Sequence, residues 1–548
     1  MKKFLSVLLA VLTLTAFMTG FQVSAASKEY GVEGDWYYRI LDDATICIDG
    51  YYGKETEITI PSKLLGRTVT VVGGSYYDFD CPNADVKTIN IPASVTDIGT
   101  ATFSQMYYLE NVNVDSNNTK YSSVNGVLFS KGKWVLYCYP RNKIETSYKI
   151  PSTVKTIGEY AFYSAKNLTE ITIPKSVTEV REHGFDDTGV TDVTVPASVE
   201  KMGCEAFGGF YAEKITLEDG LKRLDYFSLN GFSVTKISIP ASVEYIEEGA
   251  LAGLSALHEV TVDSANENYR SYGGNLYTKD RSVLLCRPSA KSATSFTIGS
   301  PVKRIGSYAM FQSENLQEVI INNGVEEIGS NAFRWCYNLE KITLPDTGKK
   351  IEVRAFEETA IKEIKIPDGI TKIELSTFEC CSNLETVEIP DSVKELASNS
   401  FWGCVKLTEV VLPEHLEKIG YYAFTHTGLN KINVPPSVKK IDNGALGYKM
   451  KDGTTTKKED FEIYGISGTE AQKYAERYDM KFISTGNFLG DVNSDGKINI
   501  KDATAIQSYL AGLTNLTDFE KTAADIDGNG EINIVDATTL QKKLANII

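Results

Sequence analysis

The sequence predicts a repeat solenoid of short parallel strands followed by a small all-α domain. Three observations carry this. The phrase I-P-x-S-V-x-x-I recurs along most of the chain, a large apolar residue stands eleven positions after each proline slot, and near the C-terminus an oxygen-rich loop followed by a helix pattern occurs twice. The 548 residues are 42% hydrophobic and 23% charged, which suits a core-forming chain and excludes disorder. With 56 Lys+Arg against 72 Asp+Glu the formal charge is −16, so nucleic acid, which needs a basic footprint, is set aside as a partner.

The first element, residues 1–25, reads as a secretory signal peptide. Lys2 and Lys3 precede an apolar run from Phe4 to about Met18, and Val23-Ser24-Ala25 supplies small residues before a cut. The run is short of the roughly 20 residues that span a bilayer, and no later segment suits a membrane span. Losing the two lysines takes the charge from −16 to −18.

The repeat array is expected over residues 27–485. Its proline slot falls at Pro92, Pro151, Pro174, Pro196, Glu218, Pro240, Gly299, Asn322, Pro345, Pro367, Pro390, Pro413 and Pro435, at spacings of 22 or 23 except for two gaps of 59. Each unit reads as one coil. Leu168, Ile171 and Ile173 point inward from a short strand before the slot, and Val154, Ile157 and Phe162 fill the returning side. One coil cannot bury these residues alone, whereas stacked coils share a continuous core. The two long gaps hold matching inserts, 115–140 and 263–288, aligned at an offset of 148 (Tyr121/Tyr269, Gly126/Gly274, Cys138/Cys286); each reads as a hairpin on the coil edge.

Catalytic signatures are missing from the four histidines, His183, His258, His415 and His426: there is no HExxH pair, and GxxxxGK[ST] is also absent. Cys204 and His183 occupy neighbouring coils at different coil positions, and no carboxylate pair stands out among the many acids. No catalytic residue is nominated. The outward strand positions, such as Thr169-Glu170-Thr172 and Glu385-Thr386-Glu388, carry no aromatic platform. Tyr107-Tyr108, Trp335, Tyr337 and Trp402 offer either a contact patch or corner packing. Cys336, Cys381 and Cys404 all stand fourteen residues after their slots. They read as buried thiols, with a Cys381–Cys404 disulfide between adjacent coils as the alternative.

The strongest chemical pattern begins at Asp491. Asp491, Asn493, Asp495, Asn499 and Asp502 place oxygen ligands at loop positions 1, 3, 5, 9 and 12, Lys497 offers its carbonyl at position 7, and Gly496 makes the turn. Asp525, Asp527, Asn529, Glu531, Asn533 and Asp536 repeat every ligand slot 34 residues later. A hard cation taking six to eight oxygens needs this spacing, which predicts two structural Ca²⁺ ions. The loops differ from an EF-hand in having Asp at position 12 and no helix before the first loop.

The repeat pattern resembles the BspA-type leucine-rich repeat family of bacterial surface and secreted proteins. The resemblance runs from about Tyr30 to Ser484, including the irregular first unit (Ile60-Pro61, Val69, Val72). A closing cap over 462–484 contains Ile466-Ser-Gly-Thr-Glu-Ala-Gln-Lys-Tyr-Ala475, which looks like a helix over the open end. The duplicated loops with their helices, residues 488–548, resemble a dockerin, the calcium-binding module that docks secreted proteins into cohesins of a cellulosome scaffold. The family's pattern places cohesin contacts at positions 10, 11, 17, 18 and 22 of each segment. Here these are Ile500, Lys501, Gln507, Ser508 and Gly512, then Ile534, Val535, Gln541, Lys542 and Asn546. The best-known dockerins carry Ser-Thr at positions 10 and 11, so this chain departs from them. The near-symmetry of the two segments suggests two docking orientations related by a half-turn.

Together these readings imply a secreted, non-catalytic cellulosome component, extracellular or at the cell surface. The dockerin would bind a scaffold cohesin in a calcium-dependent way, while the solenoid binds a protein or plant cell-wall glycan. The alternative is a polysaccharide-degrading enzyme, an O-glycosyl hydrolase, with an unrecognised site in the solenoid.

Overall fold

The computed structural model describes residues 30–546, apart from 75–78, 83–84, 210–212, 232, 487 and 496. The expected signal peptide lies outside the described residues. The chain divides into two compact units, residues 1–143 and 144–548, each with its own core.

The first unit opens with an antiparallel meander of Tyr30–Glu33, Trp36–Ile40 and Ile46–Tyr51. Ile46–Tyr51 then pairs in parallel with Arg67–Val72, which pairs with Asp97–Ile98. A second parallel ladder joins Glu57–Thr59, Thr88–Ile91 and Asn111–Val114. Ile58, Ile89 and Val112 are buried while flanking residues face outward, the two-residue alternation of a half-buried strand.

In the second unit the coils are joined by three sets of backbone hydrogen bonds. Strands before the slot pair in parallel at the repeat offset, as in Glu318↔Lys341 and Glu363↔Thr386. Two-residue strands after the slot form a second ladder, Lys372–Ile373 through Glu395–Leu396 and Lys418–Ile419 to Lys440–Ile441. At the third side Phe333 N–H donates to the Ala355 carbonyl at 2.9 Å and Phe356 N–H to Thr377 at 3.0 Å. Stacked coils thereby satisfy most of one another's backbone groups, as burial requires.

The apolar residue eleven positions after the slot forms a stacked column. Phe333, Phe356, Phe378, Phe401 and Phe424 are all buried, with successive ring centroids 5.3–5.5 Å apart and planes within 17°. Two positions before each phenylalanine the chain turns through a left-handed residue, among them His183, Asn331, Arg354 and Asn399, with φ between 53° and 58°. Non-glycine residues adopt this at a cost of about 1–2 kcal/mol each, offset here by the stacked neighbours. Leu168, Val154, Ile157 and Phe162 are fully buried as expected, but Ile171 and Ile173 are only half-buried. The strand that carries Ile171, Glu170–Thr172, pairs on one edge only, with Ser147–Lys149.

Both inserts are three-stranded antiparallel meanders rather than single hairpins: Tyr121–Val124, Val127–Ser130 and Val135–Cys138, then Tyr269–Tyr272, Asn275–Thr278 and Val283–Cys286. The Ser-Lys-Gly-Lys turn at 130–133 joins the second and third strands, and Asn125-Gly126, both at positive φ, make the first turn. An insert displaces the coil that would accept the edge N–H groups of the preceding one. Tyr121 Oη accepts the Ile98 N–H at 3.0 Å and Tyr269 Oη the Ile246 N–H at 2.7 Å instead. Buried Asn266 secures the second insert by donating to the Pro240 and Val243 carbonyls at 3.0 and 2.9 Å.

At the C-terminal end Lys431–Asn433, Glu462–Ile466 and Lys481–Gly486 pair in parallel, with helix α1 (Glu470–Arg477) between the last two strands. Ala471, Tyr474 and Ala475 are buried, and Tyr474 Oη bonds both the N–H and the carbonyl of Leu446 at 3.1 Å. Helices α2 (Ile500–Leu510), α3 (Asp518–Ala524) and α4 (Ile534–Leu544) complete the chain. Among the described residues no helix is long and apolar enough to cross a membrane.

Candidate metal centre

The two oxygen-rich loops precede α2 and α4 and share a small core. Val492, Ile506, Ile526 and Leu540 are buried there with Ala503 and Ala537. Each of Val492, Ala503 and Ile506 has its counterpart 34 residues later, so the duplication in sequence is a near-symmetry in space.

The loops are organised by their own side chains. Asp495 N–H donates to Asp491 Oδ1 at 3.1 Å and to Asn493 Oδ1 at 3.0 Å, and Lys497 N–H donates to Asp495 Oδ1 at 3.0 Å. In the second loop Gly530 N–H donates to Asp525 Oδ2 at 2.8 Å, and Asn529 N–H to Asp527 Oδ1 at 3.2 Å. Position 9 also starts the helices, since Asn499 and Asn533 are the N-caps of α2 and α4. Position 12 completes a capping box, with Asp502 Oδ2 accepting the Asn499 N–H at 2.8 Å and Asp536 Oδ2 the Asn533 N–H at 2.9 Å. The other oxygen of each reaches back to the loop entrance, Asp502 Oδ1 to Asn493 N–H and Asp536 Oδ1 to Ile526 N–H.

This arrangement suits a hard cation. Asp525, Asp527 and Asp536 each bring a carboxylate oxygen within 4.8 Å of the others. Oxygens about 2.3–2.6 Å from one Ca²⁺ lie within about 5 Å of each other. Asp502 and Asp536 are fully buried and enter no ion pair among the described residues, a costly placement for carboxylates without a cation. The Lys497 and Glu531 carbonyls stand at position 7, accepting the Asn499 and Asn533 side-chain amides at 3.2 and 3.3 Å. Gly496 lies outside the described residues.

Sequence patterning alone passes over α3, which leads directly into Asp525 and makes the second loop a helix–loop–helix. Its signal is Thr517-x-x-Glu520, a capping box with reciprocal bonds of 3.3 and 2.7 Å. Of the positions expected to meet a cohesin, Ile500 and Ile534 are each 60% exposed and Val535 is 52% exposed. Lys501, Gln507, Gly512, Lys542 and Asn546 are also exposed, while Ser508 and Gln541 are half-buried.

Elsewhere the nine cysteines are free thiols. Cys336, Cys381 and Cys404 donate to the carbonyls of Met310, Phe356 and Phe378 at 3.0–3.1 Å, which explains cysteine at that repeat position without a disulfide. Burial pushes the Cys336 and Cys381 thiols up to about 12. Trp335 packs against Phe311, ring centroids 5.0 Å apart, and donates to Glu358, so it belongs to a coil corner. Tyr107 and Tyr108 are exposed and line a cavity of about 730 Å³ in the first unit, with Tyr37, Tyr52, Asp80 and Asp85. The outward strand positions carry inter-coil ion pairs such as Lys341–Glu318 at 2.9 Å and Lys362–Glu340 at 2.6 Å.

Comparison with known proteins finds two families. The family described as BspA type Leucine rich repeat region matches residues 56–130, 136–207, 180–276, 289–356 and 326–451, more than half of the chain. The Dockerin type I domain matches residues 489–545. No curated protein matches the chain. Among solved structures, a leucine rich cell surface protein from Faecalibacterium prausnitzii is 26% identical, covering 70% of this chain and 94% of its own, with a TM-score of 0.45. A leucine-rich repeat protein from Eubacterium ventriosum is 23% identical, covering 76% of this chain and 93% of its own, also at 0.45. The pneumococcal vaccine antigen PcpA is 18% identical, covering 83% and 98%, at 0.40.

Proposed function

Because the chain belongs to the BspA-type leucine-rich repeat family and ends in a dockerin type I domain, we propose that it is an exported, non-catalytic component of a cellulosome-type assembly. The observation that carries this reading is the second loop, whose three carboxylates converge ahead of its helix, together with the equivalent capped helix after the first loop. Asp491, Asn493, Asp495, Lys497, Asn499 and Asp502 hold one Ca²⁺; Asp525, Asp527, Asn529, Glu531, Asn533 and Asp536 hold the other. Without the ions the clustered carboxylates repel; with them, ion binding becomes folding free energy for the module.

Ile500 and Ile534 anchor alternative docking orientations, since the same apolar side chain is equally exposed at both equivalent positions. Their chemistry suits a cohesin with an apolar contact rather than one that bonds hydroxyl groups. On the solenoid, the tyrosine- and aspartate-lined cavity of the first unit is the ligand site, suited to a plant-wall glycan through ring stacking and hydroxyl hydrogen bonds. The test is capture of the full chain on immobilised cohesins with and without a calcium chelator. Capture that persists in chelator contradicts the calcium mechanism. Sugar release from a plant-wall panel by the full chain overturns the non-catalytic reading.

A further inference from the structure

The repeat brings three side chains to one corner of adjacent coils: residues nine and twelve after the slot of one coil, and residue nine of the next. Arg354 and Glu357 meet there at 3.5 Å, and Tyr160 and His183 stack at 4.7 Å with an 18° tilt. Most corners combine types that cannot share an ion, such as Asn331, Arg334 and Arg354, or Asn399, Trp402 and Tyr422. In the coils starting at Pro174 and Pro196 the same corner holds His183, Asp186 and Glu205.

His183 Nδ1 lies 3.1 Å from Asp186 Oδ2 and 3.3 Å from Glu205 Oε2, and the three donor atoms all lie within 4.8 Å of one another. An imidazole nitrogen carries at most one proton, so a hydrogen bond serves only one of the two carboxylates well. Ligands about 2.0–2.1 Å from a tetrahedral zinc ion are about 3.3 Å apart, which both separations match. The donors are also oriented from outside the set. The Tyr160 ring lies against the imidazole, and Asn230 Nδ2 donates to Glu205 Oε1 at 3.0 Å, leaving Oε2 to face the histidine. The side chains are 22%, 18% and 32% exposed, so an ion can enter and a fourth position stays open to water. Cys204, the thiol nearest in sequence, meets His183 through its carbonyl, which accepts the His183 N–H at 3.2 Å.

We propose that His183, Asp186 and Glu205 form an inter-coil site for a divalent transition cation of the zinc class, tying the Pro174 coil to the Pro196 coil. One imidazole nitrogen and two carboxylate oxygens suit zinc better than calcium, which prefers an all-oxygen shell. The site is independent of the dockerin loops and of the docking function.

The test uses the full chain, calcium-saturated so that the dockerin loops are filled, titrated calorimetrically with zinc chloride. Wild type is expected to bind one zinc ion more than His183→Asn, and Glu205→Gln to bind that ion at least ten-fold more weakly. X-ray absorption of zinc-loaded wild type reads the ligands directly and needs no variant: one imidazole and oxygens are expected. No zinc bound by wild type, variants that bind as much zinc as wild type and as tightly, or a sulfur-containing shell overturns the proposal.

Discussion

Replacing Asp536 with Asn exchanges one oxygen for an amino group inside the second loop. Asp536 Oδ1 accepts the Ile526 and Asp527 N–H groups at 2.8 and 3.3 Å, and Oδ2 accepts the Asn533 N–H at 2.9 Å. An asparagine that keeps its carbonyl toward Ile526 turns its NH₂ toward the Asn533 N–H, so two donors meet. The loss is one charge-assisted hydrogen bond, about 1.5–3 kcal/mol, together with one unit of ligand charge. At about 1.4 kcal/mol per decade this predicts a ten- to hundred-fold weaker second calcium site. The first loop keeps Asp502 and should weaken less, through the shared core alone. Calcium titration calorimetry of the full chain resolves the two sites. An unchanged second site would refute both the ligand assignment and the role of Asp536 in starting α4.

Other parts of the chain respond to substitution in equally specific ways. Phe378→Ala removes a fully buried ring stacked 5.5 Å from Phe356 and 5.3 Å from Phe401, and is expected to destabilise the fold toward denaturant by about 3–5 kcal/mol while leaving calcium titration unchanged. Tyr474→Phe leaves the buried Leu446 N–H and carbonyl without their partner, and should lower the melting temperature at a cost of about 1–3 kcal/mol. Cys336 and Cys381 should resist alkylation in the native protein. Their folded pKa of about 12 lies above the ordinary 9.0, so their stabilisation is intact below pH 9 and lost as pH rises toward 12, which alkaline unfolding followed by circular dichroism checks. Single Ile500→Asp and Ile534→Asp variants should each keep most cohesin affinity and the double variant should lose it; a large loss from one single variant rules out dual orientation.

Much of the solenoid is legible in sequence because each coil repeats one solution to one problem. The 22- or 23-residue period, the proline slot and the phenylalanine eleven residues on fix which side chains enter the core, and the structure buries them. Regular spacing also marks Asp491 to Asp502 and Asp525 to Asp536, since the residues expected to hold one ion lie close along the chain. Less legible are contacts between coils. The hydroxyls of Tyr121 and Tyr269 replace a missing ladder partner, a role that no local pattern encodes. Helix α3 is hard to see in sequence because its cap, Thr517-x-x-Glu520, precedes only seven helical residues.

By itself the sequence determined the coil period, the two inserts at their offset of 148, the cap and the duplicated loops, all of which depend on residues near one another along the chain. Only the tertiary structure decided how side chains about 22 residues apart meet across coils. It turned the cysteines at the fourteenth position into donors to a neighbouring carbonyl rather than disulfide partners. It likewise set the His183 ring against Asp186 and Glu205. The physical reason is that stacking distance sets which atoms touch, while the repeat sets only which residues share a corner.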